Sequence, residues 1–161
     1  MGTADQGANT VEPPRGMFPA RMDDKGRLKV PNDFIPYLNS LPEKAFFVTS
    51  LDRRIAQIYP MSIWRETEKF LTSFRDNPRA ARNVGFNAND LGANAEMDPQ
   101  GRILFATNLR RELALENRQV YLYAYKGRIQ VLSESIYEEQ KRQATESAQA
   151  DAELLEHAGM P

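Results

Sequence analysis

Along this chain, short runs in which apolar and polar residues alternate give way to helically spaced apolar residues, and the same order of changes occurs twice. In the first half a polar turn at Asp23 to Gly26 leads into an apolar run, Leu28 to Val30, that predicts a short strand. A brief helix is expected after it, with Asn32 as its N-cap. Two β-rich runs follow, Ala45 to Thr49 and Ile55 to Tyr59, on either side of Leu51-Asp52-Arg53-Arg54, where a hairpin would turn. The second half repeats the series: a strand at Ile103 to Phe105, a helix from Thr107 or Asn108 to Leu113, then strands Val120 to Tyr125 and Arg128 to Leu132 around Lys126-Gly127.

The two halves share residues as well as pattern. At an offset of 75, Met22-Asp23-Asp24-Lys25-Gly26-Arg27-Leu28-Lys29-Val30 meets Met97-Asp98-Pro99-Gln100-Gly101-Arg102-Ile103-Leu104-Phe105, with Met, Asp, Gly and Arg identical. Downstream, Phe46-Phe47-Val48 answers to Val120-Tyr121-Leu122, Gln57-Ile58 to Gln130-Val131, and Ser62-Ile63-Trp64 to Ser135-Ile136-Tyr137, the offset slipping through a loop difference. Chance produces one Asp-x-x-Gly-Arg, but not the same succession of turn, strands and helix start, so the chain is a duplicated unit.

This divides the chain into a disordered extension (residues 1–14), a first repeat (15–62), a helical linker (63–92), a second repeat (93–138) and an acidic tail (139–161). In the linker, Ile63, Trp64, Thr67, Phe70, Leu71 and Phe74 fall on one side of a 3.6-residue period and predict a helix packed on the sheet or on a neighbour. Asn77-Pro78 opens a second helix in which Arg75, Arg79 and Arg82 share a face, either solvated or turned to a partner's phosphates or carboxylates. Beyond Tyr137 Ala, Glu, Gln and Lys dominate, which predicts a frayed helix or a disordered tail, dispensable for assembly.

Composition narrows the chemistry. With no cysteine there is no disulfide, thiolate nucleophile or zinc-thiolate site, and the single histidine, His157, stands in the tail, which disfavours histidine acid–base and metal chemistry in the body. No apolar run is long enough to span a bilayer, and Met1 to Pro14 lacks the basic start and apolar stretch of a secretory signal, so neither a membrane partner nor export is expected. The formal net charge of −1 conceals an asymmetry: from Ser133 onward seven acids face only Lys141 and Arg142, leaving residues 1–132 basic by four charges. A basic body suits a phosphate-binding face, and equally an ordinary solvated surface.

Asp-x-x-Gly-Arg has a physical logic. The carboxylates of Asp23 and Asp98 can accept backbone N–H bonds from within their turns, and Gly26 and Gly101 can take the positive φ that other residues resist. Arg27 or Arg102 then leaves from a rigid strand start, where its planar fork can grip a phosphate or the O6/N7 edge of guanine. Lys25 and Lys29 add charge beside Arg27. For an isolated copy, an Asp23–Arg27 pair that merely closes the hairpin explains the residues as well.

The set Arg15-Gly16, Asp23 to Pro31, Tyr59-Pro60 before a tryptophan-bearing helix, Asp98 to Leu104 and Leu109-Arg110 resembles the MraZ family of transcriptional regulators over residues 15–138. The resemblance implies a mainly β, α+β fold with short helices: two tandem SpoVT-AbrB, swapped-hairpin repeats joined into a pseudo-symmetric, barrel-like unit. It implies a cytoplasmic, nucleoid-associated protein that binds double-stranded DNA at repeated operator sites, as a repressor of the division and cell-wall gene cluster. Copies would form a ring homo-oligomer, an octamer or dodecamer, with no cofactor. Carried over residue by residue, the DNA contacts fall on Arg27 and Lys25, joined by Lys29 and Arg15, with Arg102 from the second motif. Pro99-Gln100 stands there in place of a basic residue, which points to a structural copy more than a DNA contact.

Two other classes compete. An AbrB-like protein-interaction module or antitoxin would use the acidic tail on a basic partner, although two repeats fit a regulator better. An enzyme would need Asp23 and Asp98 as paired carboxylates, and each has an arginine four residues on that holds it ionised.

Overall fold

The structure, a computed structural model, describes residues 11–161, so the first ten positions of the expected extension lie outside the described residues. Its strands are β1 (Phe18–Met22), β2 (Arg27–Lys29), β3 (Ala45–Thr49), β4 (Ala56–Pro60), β5 (Ala93–Glu96), β6 (Arg102–Leu104), β7 (Arg118–Tyr125) and β8 (Arg128–Ser133). The helices are α1 (Ile35–Ser40), α2 (Met61–Ser73), α3 (Pro78–Leu91), α4 (Thr107–Glu112), α5 (Glu134–Glu146) and α6 (Ala148–His157). This is the mainly β, α+β chain that the alternation predicts, with strand limits shifted by a residue or two.

All strands form one antiparallel sheet in the order β5-β3-β4-β8-β7-β1-β2-β6. Its edge strands, β5 and β6, are consecutive in the chain and joined by a turn in which Asp98 N donates to Arg102 O at 2.8 Å, so the sheet curls into a nearly closed barrel. The hairpins β3–β4 and β7–β8 are local, whereas the leading strands are exchanged: β1 pairs with β7, and β5 with β3. The registers correspond, since Phe18 lies opposite Leu122 and, at the repeat offset, Ala93 lies opposite Val48. Leu28 opposite Ile103, and Gln57 opposite Gln130, are each other's repeat equivalents and mark the pseudo-twofold axis.

Period-2 alternation turns Leu28, Ile58, Ile103, Val120, Leu122, Ile129 and Val131 into the barrel, where Phe34, Leu38, Phe105 and Leu109 fill the ends. Each buried side chain contributes roughly 1.5–3 kcal/mol, before chain entropy is set against it. A smaller cluster lies outside the barrel, where Trp64 of α2 stacks on Phe47 at 4.6 Å and meets Tyr59 edge-on at 4.9 Å. Tyr137 of α5 repeats this on Tyr121, at 3.9 Å. Of these two helices, α2 is covered by a second one, α3, which is capped by Asn77, whose side chain accepts from Ala80 N, and is pinned where Thr49 Oγ1 donates to Ala88 O at 2.7 Å.

Three local expectations are corrected. Asn32 caps nothing; it begins a 3-10 turn, Asn32–Phe34, because Pro31 at φ −58° already presets the bend and Pro31 O accepts from Phe34 N. Arg75 precedes α3, so it does not share a helical face with Arg79 and Arg82. The tail is helical from Glu134 to Glu146 and from Ala148 to His157, not disordered: the Ser133 hydroxyl caps α5 by accepting from Ile136 N, and Ala, Glu, Gln and Lys are strong helix formers even without an apolar stripe.

Candidate nucleic-acid interface

In both motif turns the aspartate performs the same task. Asp23 Oδ1 accepts from Lys25 N at 2.9 Å and Arg27 N at 2.8 Å, while Oδ2 accepts from Arg27 Nε at 2.8 Å. Asp98 holds Gln100 N, Arg102 N and Arg102 Nε, each at 2.9 Å. The backbone bond from Arg27 N, above all, holds the Asp23 carboxyl down at about 2, and Asp98 is lowered for the same reason. Both carboxylates are therefore ionised at neutral pH and cannot serve as proton donors. Gly26 and Gly101 take φ of +84° and +79°, the left-handed conformation that each turn requires.

The side-chain pairing is thus present, but it occupies only Nε of each arginine. Among the described residues no partner meets the Nη atoms of Arg27 or Arg102, so the fork remains available on a fixed stem.

β2 and β6 lie side by side as a two-stranded ribbon, with Arg27 opposite Leu104 and Lys29 opposite Arg102. Leu28 and Ile103 point inward and are fully buried, so Arg27, Lys29, Arg102 and Leu104 form the outward face. Outward neighbours along one strand stand about 7 Å apart, and a two-stranded ribbon is one of the shapes the major groove of B-DNA admits. The antiparallel register places the motif turns at opposite ends of this ribbon. Lys29 accordingly belongs with the second turn, its Nζ donating to Gln100 O, not with Arg27 as the linear motif suggests. Arg15 is not brought to the ribbon: it stands before β1, beyond the end of that strand remote from the first turn, and pairs with Glu12 at 2.8 Å.

The first turn gathers charges that no motif reveals. Arg21 at the end of β1 reaches Asn117, with Nη2 donating to O at 3.2 Å and Oδ1 at 3.1 Å, and Arg118 of β7 lies opposite Met22. Beneath the turn lies Arg110 of α4, which donates to Phe105 O at 2.8 Å and approaches Glu116. Pairing of β1 with β7 brings in residues some ninety positions away, so only the sheet topology exposes them. Among the described residues no group of three or more His, Cys, Asp or Glu is placed to hold a metal ion, and no helix is long and apolar enough to cross a membrane.

A family model described as "MraZ protein, putative antitoxin-like" matches residues 92–157. The chain is 31% identical over 142 residues to the transcriptional regulator MraZ of Acidobacterium capsulatum, covering 88% of this chain and 97% of that protein. It is 33% identical to the transcriptional regulator MraZ of Moorella thermoacetica over 143 residues, 87% of this chain and 94% of that one. With the namesake from Koribacter versatilis it shares 39% over 98 residues, 60% of this chain and 66% of that one.

Proposed function

The chain belongs to the MraZ family, and from that premise we propose that it is a transcriptional regulator, not an enzyme, which inserts the β2–β6 ribbon into the major groove of duplex DNA. One observation carries this reading: Arg27, Lys29 and Arg102 stand on one outward ribbon face over a buried apolar pair, with Lys25, Arg21 and Arg118 around its first end. Arg27 reads the base edge or grips phosphate. Lys25, Arg21 and Arg118 bind the flanking phosphates, and Arg102 with Lys29 supports the register from the far end. The expected role is repression of a division and cell-wall gene cluster from repeated operator sites, in the cytoplasm and on the nucleoid.

A few phosphate contacts per protomer correspond to weak, salt-sensitive binding. Specific affinity then comes from several copies in a ring homo-oligomer engaging repeated sites on one DNA molecule, where effective concentration multiplies the individual contacts. The test is an anisotropy titration with probes carrying one to four operator repeats at several salt concentrations. A single repeat should bind at least about tenfold more weakly than three or four, with a salt slope that steepens with repeat number. Affinity and slope independent of repeat number would overturn the multivalent mechanism. The antitoxin-like family description supports a second reading, a protein-interaction module; a toxin gene beside this one, instead of cell-wall genes, would favour it.

A further inference from the structure

Two surfaces outside the ribbon lack a partner. Between α2 and α3 runs an open groove of about 550 Å³ lined by Trp64, Arg65, Glu68, Lys69, Leu71 and Gly85, and nothing lies within 4 Å of where a Gly85 Cβ would stand. Arg82, one helical turn before Gly85, is exposed on the same stripe of α3. Among the described residues Lys69, Arg79 and Arg82 make no ion pair, and from Pro78 to Asn89 α3 carries no acid. The second surface is α6, which buries no residue. It exposes Leu154 (66%) and Leu155 (50%) beside Asp151, Glu153 and Glu156, with no lysine or arginine in the helix.

We propose that α6 of one copy docks in the α2–α3 groove of a second copy, its leucines against Trp64 and Leu71 and its carboxylates against Lys69, Arg79 and Arg82. Shape and charge are complementary: an acidic helix with an apolar pair meets a trough whose rim carries Lys69, Arg79 and Arg82 against the single acid Glu68, and whose glycine admits close approach. The contact joins copies and does not fold back within one, because β4 and β8 are antiparallel and release α2 and α5 at opposite ends of the barrel. A head-to-tail contact between two different surfaces of one chain generates a ring when its rotation closes. This rests on the oligomer of the proposed function, not on its DNA contacts, and it reverses the expectation that the tail is dispensable for assembly.

Because the chain has no cysteine, full-length G85C and L154C can be mixed and oxidised, and the products resolved by mass. Disulfide-linked heterodimer at several times the yield of either homodimer is the expected result. No cross-link, or a double variant that closes only within single chains, would overturn the proposal. In parallel, L154E/L155E should lower the assembly mass without DNA to that of smaller species, with an unchanged circular dichroism spectrum. R82E should do the same and be rescued by E153K. Unchanged mass with weakened DNA binding in R82E would mean that the groove arginines serve phosphates, which also overturns the docking. If the L154E/L155E assembly keeps its mass, the docking fails while the ring stands; if the parent chain is monomeric at all concentrations, both fail.

Discussion

The two motif turns share their backbone and differ in their surroundings. Each is an aspartate-capped turn with a glycine at positive φ, and each glycine carbonyl accepts an amide from the other half, Phe105 N to Gly26 O at 2.8 Å and Val30 N to Gly101 O at 2.9 Å. At the first turn, however, β1 and β7 contribute Arg21 and Arg118, and Asn117 N also donates to Asp23 O at 3.2 Å. At the equivalent places around the second turn stand Glu96, the counterpart of Arg21, Lys44, the counterpart of Arg118, and Glu43, the counterpart of Asn117, whose carboxylate accepts from Arg65 Nη2 at 3.0 Å. Arg110 underlies Gly26, whereas its counterpart Ile35 underlies Gly101. Duplication therefore preserved the turn as a folding unit, while the flanks made one end of the ribbon basic and firmly tied and the other mixed in charge.

This contrast can be broken most directly at the arginines. Arg27→Ala should lower specific DNA affinity at least about 100-fold, at the upper end of one lost bidentate contact repeated across an oligomer. Its melting temperature should hardly move, because the partly exposed pair with Asp23 is screened by solvent and contributes little. Arg102→Ala should lose about tenfold or less; equal losses in anisotropy titrations would show that the two ends read DNA alike.

The glycines sharpen the structural side. Gly101→Ala should cost about 1–2 kcal/mol from positive φ alone, since its Cβ would meet only the end of the Lys29 side chain at 3.2 Å and Ile35 Cδ1 at 4.0 Å. Gly26→Ala should cost more, because its Cβ would also come within 2.6 Å of the Arg110 Cδ and Cζ. Urea denaturation of the two variants in parallel measures the difference, and equal costs would deny Arg110 its place beneath the first turn.

Arg110→Leu should weaken DNA binding a fewfold through a loosened first turn, an effect of about 1 kcal/mol. Faster amide exchange at Gly26 with Gly101 unchanged would localise it; loosening of both turns would point to a general loss of packing instead. The smallest effect is that of acid. The folded-state carboxyl of Asp23 lies below its ordinary 3.8, at about 2, so its contribution is complete above pH 4 and fades as pH falls toward 2. Asp98 shifts in the same direction. Carboxyl resonances followed by NMR from pH 5 to 1.5 check this, and an Asp23 midpoint near 4 would mean that the turn does not hold in solution.

Much of this was legible in order along the chain. The Asp-x-x-Gly-Arg turns, the hairpins Ala45–Thr49 with Ala56–Pro60 and Arg118–Tyr125 with Arg128–Ser133, and the helix after Pro60 all declare themselves within a dozen residues. β1 and β5 do not. Phe18-Pro-Ala-Arg-Met contains a proline, and Ala-Asn-Ala-Glu has no β-branched or aromatic residue, so propensity argues against both; each is a strand because a partner from the other repeat supplies the hydrogen bonds. Pairing of β2 with β6 brought Lys29 to the second turn, and the direction of β1 left Arg15 outside the site.

The sequence by itself determined the local chemistry: which residues close each turn, which alternate inward, and that the unit occurs twice. These depend on side chains a few positions apart, whose geometry the backbone sets. Only the tertiary structure decided that the leading strands cross between repeats, that β2 and β6 share one outward face, and that Arg110 lies beneath Gly26 while Arg21 and Arg118 stand on the strands beside the first turn. Antiparallel pairing across some ninety residues is settled by the closing of the whole barrel around Leu28 and Ile103, and no short stretch of sequence carries that condition.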